Sequence, residues 1–159
     1  MDKLSIPATL GEAIATEPSW LQLWVLVLVV TNLAGILFVF GKDEGGWKVR
    51  AEPIGILVSF FVAAAIMNWM YGEFGYVRLL GSAHLIAWLP VYVWIVSRRN
   101  GIGWQSVFGK YIHTYLVVAG VSLVIDLIDV IRYLSGDGDL FNRWATLDSA
   151  VRLAVELLV

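Results

Sequence analysis

Residues 20–40 read WLQLWVLVLVVTNLAGILFVF, twenty-one consecutive positions from Trp20 to Phe40 without a charged side chain. At a helical rise of about 1.5 Å per residue, this stretch covers a hydrocarbon core of about 30 Å. It therefore reads as a membrane-spanning helix. The residues before it include Asp2, Glu12 and Glu17 and lack a basic opening run, so the stretch is expected to stay in the mature protein rather than to be cleaved as a secretory signal.

Working outward, three more apolar runs follow. The second covers residues 53–71, opening on Pro53, a residue suited to a first helical turn. The third covers 77–96 and stops at Ser97-Arg98-Arg99, and the fourth covers 111–134. Hydrophobic residues make up 59% of the chain and charged ones 15%, well under the quarter or so typical of soluble domains, so the bilayer is the expected solvent. Four spans of about 20 residues leave little room for anything else, which makes residues 1–159 a single membrane domain.

Beyond the loop signal Ser135-Gly-Asp-Gly, the tail from 139 to 158 places Leu140, Trp144, Leu147, Val151, Ala154 and Leu158 at alternating spacings of four and three. Asn142, Arg143, Asp148, Arg152 and Glu156 take the other face. Such a stripe reads as an amphipathic helix lying on the bilayer, or alternatively as a short seam between protomers. The fold class expected is an all-α integral membrane protein, with a four-helix transmembrane bundle and a C-terminal amphipathic interfacial helix.

Lys and Arg in short loops set the expected orientation. Lys42, Lys48 and Arg50 occupy the first loop and Arg98, Arg99 and Lys110 the third, against Arg78 alone at the second. Loops 41–52 and 97–110 are therefore expected to be cytoplasmic, with both termini outside, as in a multi-pass protein of a bacterial inner membrane. The formal charge of −2 and the lack of a basic run give no reason to expect nucleic acid as a partner. The absence of cysteine excludes disulfides, thiolate chemistry and Cys-ligated metals. No G-x-S-x-G elbow, P-loop, dinucleotide fingerprint or metalloprotease helix occurs, which argues against an enzyme.

Polar residues within the apolar runs carry the functional information. Neighbouring antiparallel helices can share a site only at matching depth, and depth follows from counting inward from span ends. His84 lies seven residues into the third run and Asp126 eight before the end of the fourth, so both are about 10–12 Å below the same surface. Asn68, near the end of the second run, approaches that side, with Trp69 and Glu73 above it. On the fourth run Ser122, Asp126, Asp129 and Arg132 follow at spacings of four, three and three, one slanting polar stripe that must face protein or water.

Arg132 is the expected partner of Asp129. Asp126 is then the less neutralised acid, and His84 at its depth is placed to pair with it or to exchange protons with it. The candidate ligand- or ion-binding set is Asp126, Asp129, His84, Asn68, Arg132 and Ser122. The competing reading is structural, with the charges locking helices together or meeting a partner protein. A metal held by His84, Asp126, Asp129 and Glu73 is a weaker option, because no paired Glu-x-x-His spacing supports it. A bis-histidine haem within one chain fails on depth, since His113 begins the fourth run about 15 Å in axial separation from His84. No cofactor is expected. Gly55, Ser59 and Ala63 recur every four residues on the second run, a small ridge for close helix packing within the chain or between copies.

Two functions remain. One is a transport-type membrane protein, acting as an oligomeric channel or carrier or as a subunit of one. The other is a non-transporting accessory or scaffold subunit, with a membrane-embedded metal or haem protein ranked third. The expected partners are the bilayer and either further copies of the chain or another membrane protein.

Overall fold

The computed structural model describes residues 7–43 and 45–136; the amphipathic tail expected at 139–158 lies outside them. Helix α1 (Leu10–Ala15) opens on Thr9, whose hydroxyl accepts from the Glu12 amide at 3.2 Å, while the Glu12 carboxylate accepts from the Ala8 amide at 2.8 Å. These two bonds satisfy backbone donors that a helix start leaves open. The hydroxyl of Tyr71 donates to the Pro7 carbonyl at 2.6 Å and fastens the chain just ahead of α1 to the end of α3 (Ala51–Phe74).

Among the described residues, four helical stretches are long and apolar enough to cross a membrane: Ser19–Phe38, Ala51–Phe74, Arg78–Gly101 and Val107–Leu134. They consist of α2 (Ser19–Leu33) with a 3-10 turn at Ala34–Phe38, α3, a 3-10 turn at Arg78–Gly81 leading into α4 (Ser82–Arg98), and α5 (Val107–Leu134). Short connections make successive helices antiparallel neighbours. Helix α4 packs on both α3 and α5, and α2 lies against α3 and α5.

The boundaries depart from the sequence expectation in two places. The first span does not run helical to Phe40: after the 3-10 turn the chain enters strand β1 (Phe40–Asp43), which pairs antiparallel with β2 (Gly46–Val49). The register sets Phe40 opposite Val49 and Lys42 opposite Trp47. Phe40 and Val49 suit a pleated ribbon as well as a helix, and Gly45 with Gly46, the latter at a φ of 111° as it opens β2, favours the chain reversal of a hairpin. The fourth span starts earlier than expected, at Val107, because the Ser106 hydroxyl caps it by accepting from the Gly109 amide at 2.9 Å.

Only 17% of the first span's most apolar window and 28% of the fourth's is buried inside the chain, so most of each helix presents its side chains outward. Leu26, Leu37, Val117 and Ile128 are among the outward-facing residues, as lipid contact would have them. Inside are two clusters. One, toward the β-hairpin end, joins Ile56, Ile95, Tyr111, Ile112, Tyr115, Leu116 and Ala119. The other, near mid-span, joins Leu28, Ala63, Trp88 and Leu123. Apolar burial does not drive helix association in lipid, so close packing and hydrogen bonds must hold these helices together. The ridge on α3 serves that purpose: Ser59 and Ala63 are buried, and Gly55 lets Val91 and Trp94 of α4 approach.

Candidate functional site

The site lies in the half of the bundle remote from the hairpin, between α4 and α5. Both helices must expose some backbone polar groups at their ends, but within the spans every carboxylate needs a partner inside the protein, since its transfer to hydrocarbon costs about 2.5–3.5 kcal/mol on insertion scales. For the two carboxylates of α5 the structure supplies a partner each. His84 Nδ1 lies 2.9 Å from Asp126 Oδ2, with side chains 15% and 14% exposed. Arg78 Nη1 donates to Asp129 Oδ1 at 2.9 Å, one helical turn nearer the surface.

Three further contacts shape the His84–Asp126 pair. The Ser122 hydroxyl, buried one turn before Asp126 on α5, donates to the same Oδ2 at 3.3 Å. The indole of Trp88, one turn after His84 on α4, stacks on the imidazole with ring centroids 4.1 Å apart and planes 23° apart. Gly81, just ahead of α4, brings bare backbone against Asp126, where any Cβ would crowd the carboxylate. The pair is thus held from a helix face, an aromatic plane and a backbone contact.

The chemistry open to this pair is proton binding. With Asp126 ionised, Nδ1 carries the shared hydrogen and donates it to Oδ2, which leaves Nε2 to take up or release a second proton. Loading Nε2 produces an imidazolium beside a carboxylate and preserves the short bond.

The sequence-derived set is divided by the structure. His84, Asp126 and Ser122 are brought together, and Asp129 lies next to them. Asp129 was expected to pair with Arg132, and the contact seen is to Arg78, which the sequence reading used only as a loop charge. Arg132 is on an exposed face of α5. Asn68 does not join the site: it is exposed on α3, and its side-chain amide donates to the Ala64 carbonyl at 2.8 Å. Its depth matches His84, but it sits on the outward side of the helix. Glu73 and Trp69 are likewise exposed. Among the described residues no group of three or more His, Cys, Asp or Glu is close enough to hold a metal ion, so the mixed set of His84, Asp126, Asp129 and Glu73 is not assembled.

Tyr76, in the segment joining α3 to α4, is a neighbour the sequence reading passed over. Burial first, then the negative charge of Glu17, raises its phenol above the ordinary tyrosine value, with smaller contributions from Tyr71 and Asp129. His113 is far from this site: its Nδ1 donates to the Gly109 carbonyl at 2.7 Å, and its ring meets the edge of Trp104 at 4.4 Å.

The chain matches no family model, no curated protein and no solved structure.

Proposed function

We propose that this chain is a small polytopic membrane protein of transport type that moves protons, with His84 and Asp126 as the protonatable site in one leaflet. The observation that carries this reading is the 2.9 Å contact between Nδ1 and Oδ2 inside an apolar bundle, joined by the Ser122 hydroxyl. A carboxylate and an imidazole held together at this depth are costly as mere packing elements, and intramembrane ionisable groups are characteristic of proton relays. The charged groups on the surface side of the pair are Asp129 and Arg78, which are themselves in contact at 2.9 Å. Four helices of this size enclose no wide pore, so a transporting form assembles from several copies or joins a larger carrier. The Lys and Arg of the short loops support an orientation with the hairpin and residues 97–110 on the cytoplasmic side of a bacterial inner membrane and both termini on its far side.

A second reading, an accessory or scaffold subunit, draws on the Arg78–Asp129 contact, because an ion pair near a span end suits helix docking without transport.

The test is proton entry into liposomes carrying the purified full chain, an interior pH-sensitive dye and a potassium diffusion potential. Wild type is expected to acidify the lumen faster than empty vesicles, and Asp126→Asn to return the rate to that of empty vesicles. Equal rates for wild type and Asp126→Asn would sink the transport reading.

A further inference from the structure

The polar stripe on α5 does not end at Ser122. Tyr111 and Tyr115 continue the same face toward the hairpin end, at i, i+4, i+11, i+15 and i+18 for Tyr111, Tyr115, Ser122, Asp126 and Asp129, a helical repeat that keeps all five on one side. Tyr115 is 0% exposed and Tyr111 9%, and neither hydroxyl has a hydrogen-bond partner among the described residues. Two more buried polar atoms share that condition: Oδ1 of Asn32 on α2, a residue 1% exposed, and Nε1 of Trp88 on α4, also 1% exposed.

The residues that carry these four atoms follow one another in depth along the bundle. The Tyr111 hydroxyl reaches the backbone of Gly35, where a Cβ would lie 2.9 Å from it, and the Tyr111 ring stacks on Phe38 at 4.6 Å. Since α2 and α5 are antiparallel, one turn back from Gly35 meets one turn on from Tyr111, which sets Asn32 at the depth of Tyr115. Trp88 packs in the next cluster along, with Leu28 of α2 and Leu123 of α5, and its ring reaches back to His84. Going from one face to the other, the order is Asp129, Asp126 with His84, Trp88, Asn32 with Tyr115, then Tyr111.

An unpaired buried donor or acceptor costs about 1–3 kcal/mol, and four in one apolar bundle is a large penalty to carry. The inventory is complementary: two hydroxyls and an indole N–H can donate, and the Asn32 carbonyl oxygen accepts. Internal water, which typically makes about three hydrogen bonds to such groups, satisfies both kinds at once.

We propose that Asn32, Tyr115, Tyr111 and Trp88 hold internal water that continues the polar file from Asp126 toward the hairpin face. This rests on the proton-transfer reading and gives the protonatable pair its route through the second leaflet. The indole N–H and the tyrosine hydroxyls fix the water, and protons pass along water and hydroxyl oxygens by hydrogen-bond exchange.

The experiment has two readouts on the full chain in lipid bilayers. Water-edited solid-state NMR reports contact with water directly: the Asn32 side chain and the Tyr115 ring carbon bearing oxygen are expected to gain magnetisation from water early, well before the Ile112 methyls in the same cluster. Build-up at Asn32 and Tyr115 as slow as at Ile112 would overturn the proposal. Tyr115→Phe removes one hydroxyl without removing the ring, and is expected to lose most of the liposome proton flux while the His84 and Asp126 resonances stay in place. Unchanged flux in Tyr115→Phe, alongside abolished flux in Asp126→Asn, defeats the water route alone; unchanged flux in Asp126→Asn defeats the proton-transfer reading itself, whatever the NMR shows.

Discussion

A Cβ built on Gly81 would lie 2.9 Å from Oδ1 and 3.2 Å from Cα of Asp126, so the chain entering α4 touches the carboxylate-bearing turn of α5 backbone to backbone. The His84–Asp126 contact depends on that approach. Gly81→Ala is expected to push α5 outward, destabilise the fold by about 1–3 kcal/mol as overpacking does, and lengthen the pair's hydrogen bond. Thermal unfolding in detergent measures the first effect and the imidazole nitrogen shifts of His84 the second. An unchanged melting temperature with unchanged shifts would show that the contact is slack.

Arg78 and Asp129 are expected to behave as a coupled pair, with side chains 17% and 28% exposed. Arg78→Met alone leaves a carboxylate near the span end without its guanidinium and should cost more stability than Arg78→Met combined with Asp129→Asn, with a coupling of about 0.5–3 kcal/mol. Strictly additive losses across the four proteins would contradict the pairing.

Trp88 fills the mid-span cluster and braces the imidazole. Trp88→Ala should lose about 3–5 kcal/mol through the cavity it leaves, and should release His84 from its stacked orientation. Loss of stability without any change in the His84 ring signals would separate the packing role from the bracing role.

The raised phenol of Tyr76 gives a pH prediction outside the spans. Its folded-state value lies above the ordinary 10.0 of the unfolded chain, so the unfolded form gives up its proton first as pH rises. The contribution is fully present below pH 10 and is lost progressively above it. Melting temperatures in detergent should therefore fall at alkaline pH, and Tyr76→Phe should fall less steeply. Parallel slopes would refute the assignment.

How much of this was legible in the chain differs by kind of information. The four spans were plain because a bilayer demands one simple pattern, length and apolarity together, and counting depth put His84 and Asp126 at one level, where a contact is possible. Depth has no azimuth, however, and Asn68 shows the consequence: it lies at a suitable level on the wrong side of α3. The same depth rule matches Arg78, at the start of the third run, with Asp129 near the end of the fourth, whereas Arg132 is nearer in sequence but lies on an exposed face. The hairpin was hidden because Phe40 and Val39 extend an apolar run without marking where helix gives way to strand. The T-x-x-E signal at Thr9 and Glu12 was present and announces α1.

The spacing of the two ion pairs also decides how α4 and α5 can slide past each other. Lipid-facing and small-residue surfaces tolerate a one-turn shift, since one apolar turn resembles the next. The charges do not. Asp126, Asp129 and Arg132 recur every three residues on α5, so a one-turn slip in one direction turns Arg132 toward Arg78 and sets like charges together. A slip the other way presents Ser122 to His84 and carries Asp129 past its partner. Only one axial position pairs both acids, which makes the two contacts a vernier that fixes the relative height of the helices where shape alone would leave it undetermined.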